Sequence, residues 1–266
     1  MRISHEAPLN IIRKVGVMTD YDYALVHLFE ELPDYFDYFK QAVDKGRYVI
    51  LDNSIFELGE AFDAVKYAEW ITKLTPSAYI VPDALEQKAT TIENFSSWLE
   101  RYSALPGLKI GVVQGRDYNE IIECYQYMQK RADIIAISFD YSYYEKQFPN
   151  EPTKYHAWMK GRQQLITQMR DEQIINTKKP HHLLGCSLPQ EFAYYREGFP
   201  FLDTLDTSNP VVHGMKGIKY SDLDANGIFG LANKESVKLF ELMEEKVDNE
   251  ADIVYNIHKF KDNVCG

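Results

Sequence analysis

Short apolar runs separated by amphipathic stretches make up most of the hydrophobic pattern of this chain. Eight runs, four to six residues long, are rich in Val, Ile and Leu, as expected for strands of a parallel sheet buried on both faces. Strands are therefore predicted over residues 2–5, 23–28, 48–52, 78–83, 109–114, 133–138, 182–186 and 201–206.

Between most of these runs, apolar residues recur three or four positions apart, which is the period of an amphipathic helix. Helices are predicted over residues 9–17, 33–45, 61–74, 90–102, 120–131, 155–170, 190–196, 234–247 and 251–264. Alternating strands and helices favour an α/β fold with a parallel sheet. Eight such strands close most naturally into a (β/α)8 TIM barrel, which typically occupies about 250 residues.

The 266 residues therefore predict one domain, residues 1–266. A Tyr-rich stretch over residues 139–154 predicts an extended loop after the sixth strand, overhanging one face of the barrel. The two last predicted helices are expected to cover the outside of the barrel.

Several predicted strands end on a polar side chain. Reactive residues of a (β/α)8 barrel gather at the carboxyl ends of its strands, so these side chains are expected to meet there. They are Asp52, Asp83, Gln114, Ser138 and Asp206. The three aspartates and the glutamine have structural alternatives, because an aspartate after a strand often forms an Asx turn or caps a helix, and a glutamine there can simply satisfy loop backbone groups.

The net charge and the distribution of basic residues indicate which kinds of partner to expect. A formal net charge of -11 argues against indiscriminate binding of polyanions, which depends on Lys and Arg neutralising phosphates. A local set of basic residues provides candidates for phosphate contacts, although such residues more often form a solvated face. These are Lys154, Lys160, Arg162, Lys178 and Lys179.

Cysteine and histidine usage gives no metal pattern. The three cysteines are far apart, which argues against a disulfide framework and a cysteine-rich zinc site and favours a reducing compartment. His27, His182 and His213 lack ligand spacing and are interpreted as structural. The chain shows neither a signal-peptide core nor the roughly 18 consecutive apolar residues of a membrane span, so we expect a cytoplasmic protein with no membrane partner.

The strand-end motifs, taken in order, resemble the tRNA-guanine transglycosylase family, and more closely its short phage-type relatives associated with 7-deazaguanine modification of DNA. The first motif, Leu51-Asp-Asn-Ser-Ile-Phe-Glu57, resembles the Asp-Ser-Gly-Gly-Phe-Gln element of the family. The others are Val81-Pro-Asp83, Gly111-Val-Val-Gln-Gly115, Leu184-Gly-Cys186 and Leu205-Asp-Thr207. The resemblance covers roughly residues 48–212. It departs from the family in lacking a C-x-C-x-x-C…His zinc module and in having Ile55 in place of a Gly.

The resemblance implies a transferase that replaces guanine in a nucleic acid with a 7-deazaguanine derivative, through a covalent bond to Asp206. Asp52 would pass the proton of the base in both directions. Base contacts are implied for Asp83, Gln114, Gly115, Phe56, Asn53, Ser138 and Gly185. The resemblance implies no redox cofactor, and the missing zinc module implies no metal. DNA is favoured over tRNA as the polymer partner, the compartment would be the host cytoplasm for a phage protein, and a homodimer is left open.

Two alternatives remain. A non-catalytic base-binding homologue is one, although the presence of both Asp52 and Asp206 counts against it. An unrelated barrel enzyme acting on a small phosphorylated metabolite is the other, although the loops after the last two strands lack a Gly-rich phosphate cradle. Phe56 could also be ordinary core, Cys186 a buried small hydrophobe, and the tyrosines over residues 141–144 either packing or a grip on nucleic acid.

Overall fold

The computed structural model describes residues 1–222, 239–243 and 245–266, and it contains all eight predicted strands. Their bounds are β1 Arg2–His5, β2 Asp22–Leu25, β3 Val49–Asp52, β4 Ala78–Ile80, β5 Leu108–Val113, β6 Ile134–Ser138, β7 His181–Leu184 and β8 Leu202–Thr207. Within the described residues the strands form one parallel sheet in the order β1-β8-β7-β6-β5-β4-β3-β2. This is the predicted (β/α)8 barrel, nearly closed.

The seam between β1 and β2 is joined by residues that precede β2. The backbone N–H of His5 donates to Thr19 Oγ1 over 2.8 Å, and the backbone N–H of Asp20 donates to the carbonyl oxygen of Ile3 over 2.8 Å. No strand pairing joins β1 to β2, which lie at the two ends of the sheet order. These hydrogen bonds take its place and hold that side of the barrel together.

Helices alternate with the strands as predicted. They are α1 Ile12–Gly16, α2 His27–Glu31, α3 Pro33–Asp44, α4 Ile55–Leu58, α5 Ala64–Leu74, α6 Lys88–Tyr102, α7 Tyr118–Met128, α8 Ser142–Gln147, α9 Lys154–Asp171, α10 Asn209–Met215 and α11 Glu250–Cys265. Pro189–Arg196, Tyr220–Asp222 and Leu239–Leu242 are 3-10 helices. Among the described residues, no helix combines the length and the apolar character that crossing a membrane requires.

Three strands end two or more residues earlier than predicted. The second ends at Leu25 because Val26 already has helical backbone angles ahead of α2. The fourth ends at Ile80, because Pro82 has no N–H to donate to a neighbouring strand. The seventh ends at Leu184 because Gly185 has a φ of 64°, in the left-handed region.

The C-terminal part of the chain covers the outside of the barrel, as predicted for residues 251–264. Helix α11 packs against α10 and against Pro189–Arg196. Asn256 is fully buried there, where its side chain accepts from the backbone of Tyr220 and donates to that of Ile218, both over 2.8 Å. The helix predicted over residues 234–247 lies partly outside the described residues, and its described part contains the 3-10 helix Leu239–Leu242.

The long loop after β6 is more ordered than predicted. It contains α8, and Tyr141, Tyr143 and Tyr144 are all buried. The hydroxyl of Tyr144 donates to the carbonyl oxygen of Ser138 over 3.2 Å, and that of Tyr141 donates to the carbonyl oxygen of Val113. These tyrosines therefore pack the loop against the barrel, which decides between the two interpretations left open above.

Candidate functional site

A cavity of about 370 Å³ opens at the carboxyl ends of the strands. Its volume lies in the range of roughly 300–1,000 Å³ that is usual for small-molecule sites. It brings together side chains that follow six different strands and were predicted to form the site. Those lining it are Asp52, Phe56, Asp83, Gln114, Ser138, Gly185 and Asp206.

Asp206 is held near the end of β8 by Gly185, which follows β7, and it faces His182 of β7. The backbone N–H of Gly185 lies 3.2 Å from Oδ1 and 3.3 Å from Oδ2 of the carboxylate. His182 Nε2 lies 3.0 Å from Oδ1, at ion-pair distance but off the angle of a hydrogen bond. Although Asp206 is only 5% exposed, it lines the cavity, so its carboxylate is both oriented and reachable.

Asp52 terminates β3 on the same cavity. Burial raises its pKa well above the usual value, and the nearby charges of Asp206 and Asp83 raise it further. The backbone N–H groups of Asn53 and Ser54, which donate to it, offset part of this rise. Asp52 is therefore a carboxyl group that keeps its proton to higher pH than an exposed aspartate does, as a general acid requires.

Asp83 is clamped by two amides. Its Oδ1 accepts from Asn53 Nδ2 over 2.8 Å and its Oδ2 accepts from Gln114 Nε2 over 2.7 Å. Burial raises the pKa of Asp83, and these two hydrogen bonds partly counteract the effect. Gln114 is oriented in turn, since its Oε1 accepts from the backbone N–H of Glu86 over 2.8 Å. The amide oxygen of Gln114 thus satisfies a loop backbone group, as the structural alternative predicted. The side chain nevertheless lines the cavity.

Two residues predicted to contact a base lie elsewhere. Asn53 is fully buried behind Asp83 and does not line the cavity, and its Oδ1 accepts from the backbone N–H of Ile55 over 3.0 Å. Gly115 also lies off the lining, where an added Cβ would come within 2.7 Å of the Ile121 nitrogen. Asn53 therefore supports Asp83, and Gly115 permits the close approach of α7. The predicted base contacts of both residues are corrected accordingly.

Aromatic rings form one wall of the cavity. Phe56 is 57% exposed, which rules out the core interpretation, and its ring centroid lies 5.7 Å from that of Phe139. Phe139 in turn packs edge-on against Trp158 at 5.5 Å. Ile55, which replaces the family's glycine, lines the cavity beside Phe56. This wall offers an apolar face to a flat ring.

Several lining residues were not singled out in the sequence. Burial raises the pKa of Asp140, although this carboxylate accepts from Ser138 Oγ over 2.6 Å. Tyr23 and further acidic residues also line the cavity, whereas no Lys or Arg of the described chain does. The acidic lining residues are Glu6, Asp52, Glu57, Asp83, Asp140 and Asp206. No group of His, Cys, Asp and Glu suited to holding a metal ion occurs within residues 1–222, 239–243 and 245–266.

The predicted phosphate contacts separate into different environments. Lys154 is exposed at the start of α9, with Nζ 5.2 Å from the ring centroid of Trp158, a cavity residue. Lys160 pairs with Glu151 over 2.7 Å. Lys178 and Lys179 directly precede β7, so they lie at the amino ends of the strands, opposite the cavity.

Arg162 is the clearest correction. Its side chain is 0% exposed and pairs with Glu191, which is equally buried, over 2.7 Å. Its guanidinium also donates to the carbonyl oxygens of Leu184 over 2.8 Å and Gly185 over 3.0 Å. A side chain in this position cannot reach a phosphate, and the prediction that Arg162 binds nucleic acid is wrong.

Comparison with protein-family models and with curated proteins finds no match for this chain. A functional interpretation therefore rests on the motifs and on the geometry of the cavity.

Proposed function

We propose that this protein exchanges guanine in a nucleic acid, DNA in preference to tRNA, for a 7-deazaguanine derivative through a glycosyl ester of Asp206. The observation that carries the proposal is the meeting of Asp206, Asp52 and Asp83 on one cavity, each with a different environment. Environments that push the pKa values of neighbouring carboxyl groups apart are typical of paired nucleophile and acid-base roles.

In the first half-reaction, a carboxylate oxygen of Asp206 forms a bond to C1′ of the sugar as the bond from C1′ to the base breaks. The transition state resembles an oxocarbenium ion, which the negative charge of Asp206 stabilises. The departing guanine takes the electron pair of the broken bond and receives the proton of Asp52. The raised pKa of Asp52 favours the protonated form that this step requires.

The second half-reaction reverses these steps with a different base. Asp52, now a carboxylate, removes the proton from the ring nitrogen of the incoming 7-deazaguanine. That nitrogen forms the new bond to C1′, and the ester bond breaks to regenerate the Asp206 carboxylate. Protons and electron pairs balance over the cycle, so no redox cofactor is needed.

Asp83 suits recognition of the guanine edge that bears N1–H and the 2-amino group, because both are hydrogen-bond donors. A carboxylate has about four lone-pair sites, and Asn53 and Gln114 occupy one on each oxygen. The second N–H of the Gln114 amide can donate to O6. Stacking on Phe56 would add about 1–3 kcal/mol.

The acidic residues that line the cavity help to distinguish a small phosphorylated metabolite from a nucleic acid as the substrate. A phosphorylated metabolite would place its phosphate among carboxylates, since no Lys or Arg lines the described cavity wall. A nucleic acid avoids this cost if only the flipped base and its sugar enter while the phosphates stay at the rim. This difference favours a polymer substrate.

Mass analysis of nucleosides from DNA and from tRNA, each incubated with the protein and a 7-deazaguanine, tests the proposal. We expect modified deoxyguanosine with the wild type, and a loss of at least about 10³-fold with Asp206→Ala, because the substitution removes the carboxylate that would form the covalent bond. Asp203→Ala is the matched control, because Asp203 lies on the same strand but pairs with Arg2 at the surface.

Exchange that survives Asp206→Ala would remove the covalent mechanism. A wild type that binds the base but leaves both polymers unmodified would support the non-catalytic homologue instead.

A further inference from the structure

His182 occupies a layer of the barrel interior directly beneath the cavity. Its Nδ1 lies 2.9 Å from Thr204 Oγ1 and its Nε2 lies 3.0 Å from Asp206 Oδ1. The register of β7 and β8 creates this arrangement: His181 pairs with Leu202, whereas His182 pairs with Thr204. One extra residue on β8 therefore brings Thr204 and Asp206, two positions apart on one face, against the same imidazole.

The imidazole is held on its face as well as at Nδ1. Tyr23 from β2 stacks on it, with ring centroids 5.8 Å apart and planes at 22°. His182 is fully buried, and its Nε2 has no hydrogen-bond partner among the described residues. The carboxylate of Asp206 is thus the group that Nε2 faces at close range.

The two neighbours of the His182 ring determine which of its nitrogens carries the proton. A carboxylate can only accept, whereas the hydroxyl of Thr204 can donate or accept. With the proton on Nε2, the partial positive charge of that N–H lies beside Asp206 Oδ1, and Nδ1 accepts from the hydroxyl of Thr204. The opposite tautomer would set the lone pair of Nε2 against those of Oδ1, which is repulsive.

The two oxygens of Asp206 consequently differ. Gly185 N–H is shared between them, but only Oδ1 also faces His182. We propose that His182 is a positioning residue that turns Asp206 so that Oδ2 attacks C1′. This proposal rests on the function proposed above. Oδ1 becomes the carbonyl oxygen of the glycosyl ester, and the N–H of His182 stabilises the charge that returns to the carboxylate when the ester breaks.

Three variants test this role in the base-exchange assay. His182→Phe keeps a ring against Tyr23 but removes both nitrogens, and we expect kcat to fall about 10²-fold with KM little changed, the usual effect of losing one oriented donor. His182→Gln can place an amide N–H near the position of Nε2 and should recover most of kcat. His181→Gln is the control, because that neighbouring histidine contacts the Tyr125 hydroxyl, outside the cavity lining, and should leave kcat unchanged.

A kcat for His182→Phe within twofold of the wild type would overturn the proposal. So would folded His182→Gln that is as impaired as His182→Phe, because a merely structural ring would give that result.

A second measurement does not depend on catalysis. Nitrogen-15 NMR of histidine-labelled protein, with His182 assigned through its loss in His182→Gln, should show a proton on Nε2 at neutral pH and a shift of that signal in Asp206→Asn. An Nε2 without a proton overturns the proposal whether or not bases are exchanged. A protonated Nε2 in a wild type that modifies no nucleic acid would leave the orientation of Asp206 standing and reject the proposed function alone.

Discussion

The three aspartates of the proposed mechanism lie on one cavity but in different surroundings. Asp206 receives the Gly185 N–H and faces His182, Asp83 is clamped by two amides, and Asp52 is raised in pKa by burial and by the other two charges. The three residues are of the same type, so the differences in their proposed roles come from the residues that surround them. A buried carboxyl group with a raised pKa also lowers the free energy of unfolding when it ionises.

Asp52→Asn should therefore be more stable than the wild type, by a margin that grows as pH rises. The raised pKa means that the folded state holds a proton that the unfolded state loses near pH 4. The stability linked to that proton is complete below pH 4 and is lost as pH rises through the folded-state pKa. The variant cannot lose it, so its Tm should match that of the wild type near pH 4 and exceed it at pH 8, by about 2–4 °C per kcal/mol.

Thermal unfolding followed by circular dichroism across this pH range provides the measurement. Asp83 and Asp140 also have raised pKa values but are present in both proteins, so the difference isolates Asp52. Asp37→Asn, at an exposed position of α3, serves as the control. A Tm difference that does not grow with pH would contradict the buried, proton-holding state of Asp52.

At the scale of elements, the end of β7 is fixed by helix α9. Arg162 of that helix bonds the carbonyl oxygens of Leu184 and Gly185 while paired with Glu191. Gly185 itself leaves no room for a side chain, because an added Cβ would lie 2.5 Å from the ring of Phe139. The N–H that Gly185 offers to Asp206 is thus positioned by a buried ion pair between the two elements that flank β7 in the chain.

Arg162→Met should lower the free energy of unfolding by about 3–5 kcal/mol, because Glu191 would be left buried without its partner. Removing both charges with Arg162→Met and Glu191→Met should recover part of this loss. Urea denaturation measures both effects. Lys160→Met is the control, since its half-exposed pair with Glu151 should contribute at most about 1 kcal/mol. A surface role for Arg162 would instead predict weaker DNA binding at unchanged stability.

At the scale of the whole molecule, negative charge predominates both in the chain and on the described wall of the cavity. The net charge is -11 and the described cavity wall is acidic, so under the proposed function we expect contacts to phosphates at the rim of the cavity. Lys154 is exposed beside aromatic residues of the cavity wall, whereas Lys178 lies at the opposite end of the barrel.

Lys154→Ala should weaken binding of single-stranded DNA and reduce the slope of log Kd against log salt by about 1, the effect of losing one phosphate contact. Lys178→Ala, with the same charge change at the other end of the barrel, should leave both values unchanged. Fluorescence anisotropy with a labelled oligonucleotide at several salt concentrations makes the comparison. Equal effects of the two substitutions would mean that DNA does not approach through the cavity mouth.

The strands and most helices were predictable because their signals are local. Short runs rich in Val and Ile, bounded by polar or turn residues, favour strands, and Pro33–Asp44 shows its helical period directly in the sequence. The meeting of Asp52, Asp83 and Asp206 was also predictable, because a parallel barrel places all carboxyl ends of its strands on one face.

The local sequence therefore determined the strands, the barrel and the set of carboxyl groups at its mouth. Only the tertiary structure decided which neighbours of those groups face the cavity. Arg162 and Lys154 share one helix, yet one is buried because Glu191 comes from another element and the other stays in water. His182 meets Asp206 because β8 carries an extra residue in its register with β7. Burial and strand register depend on contacts between segments distant in sequence, which no local pattern encodes.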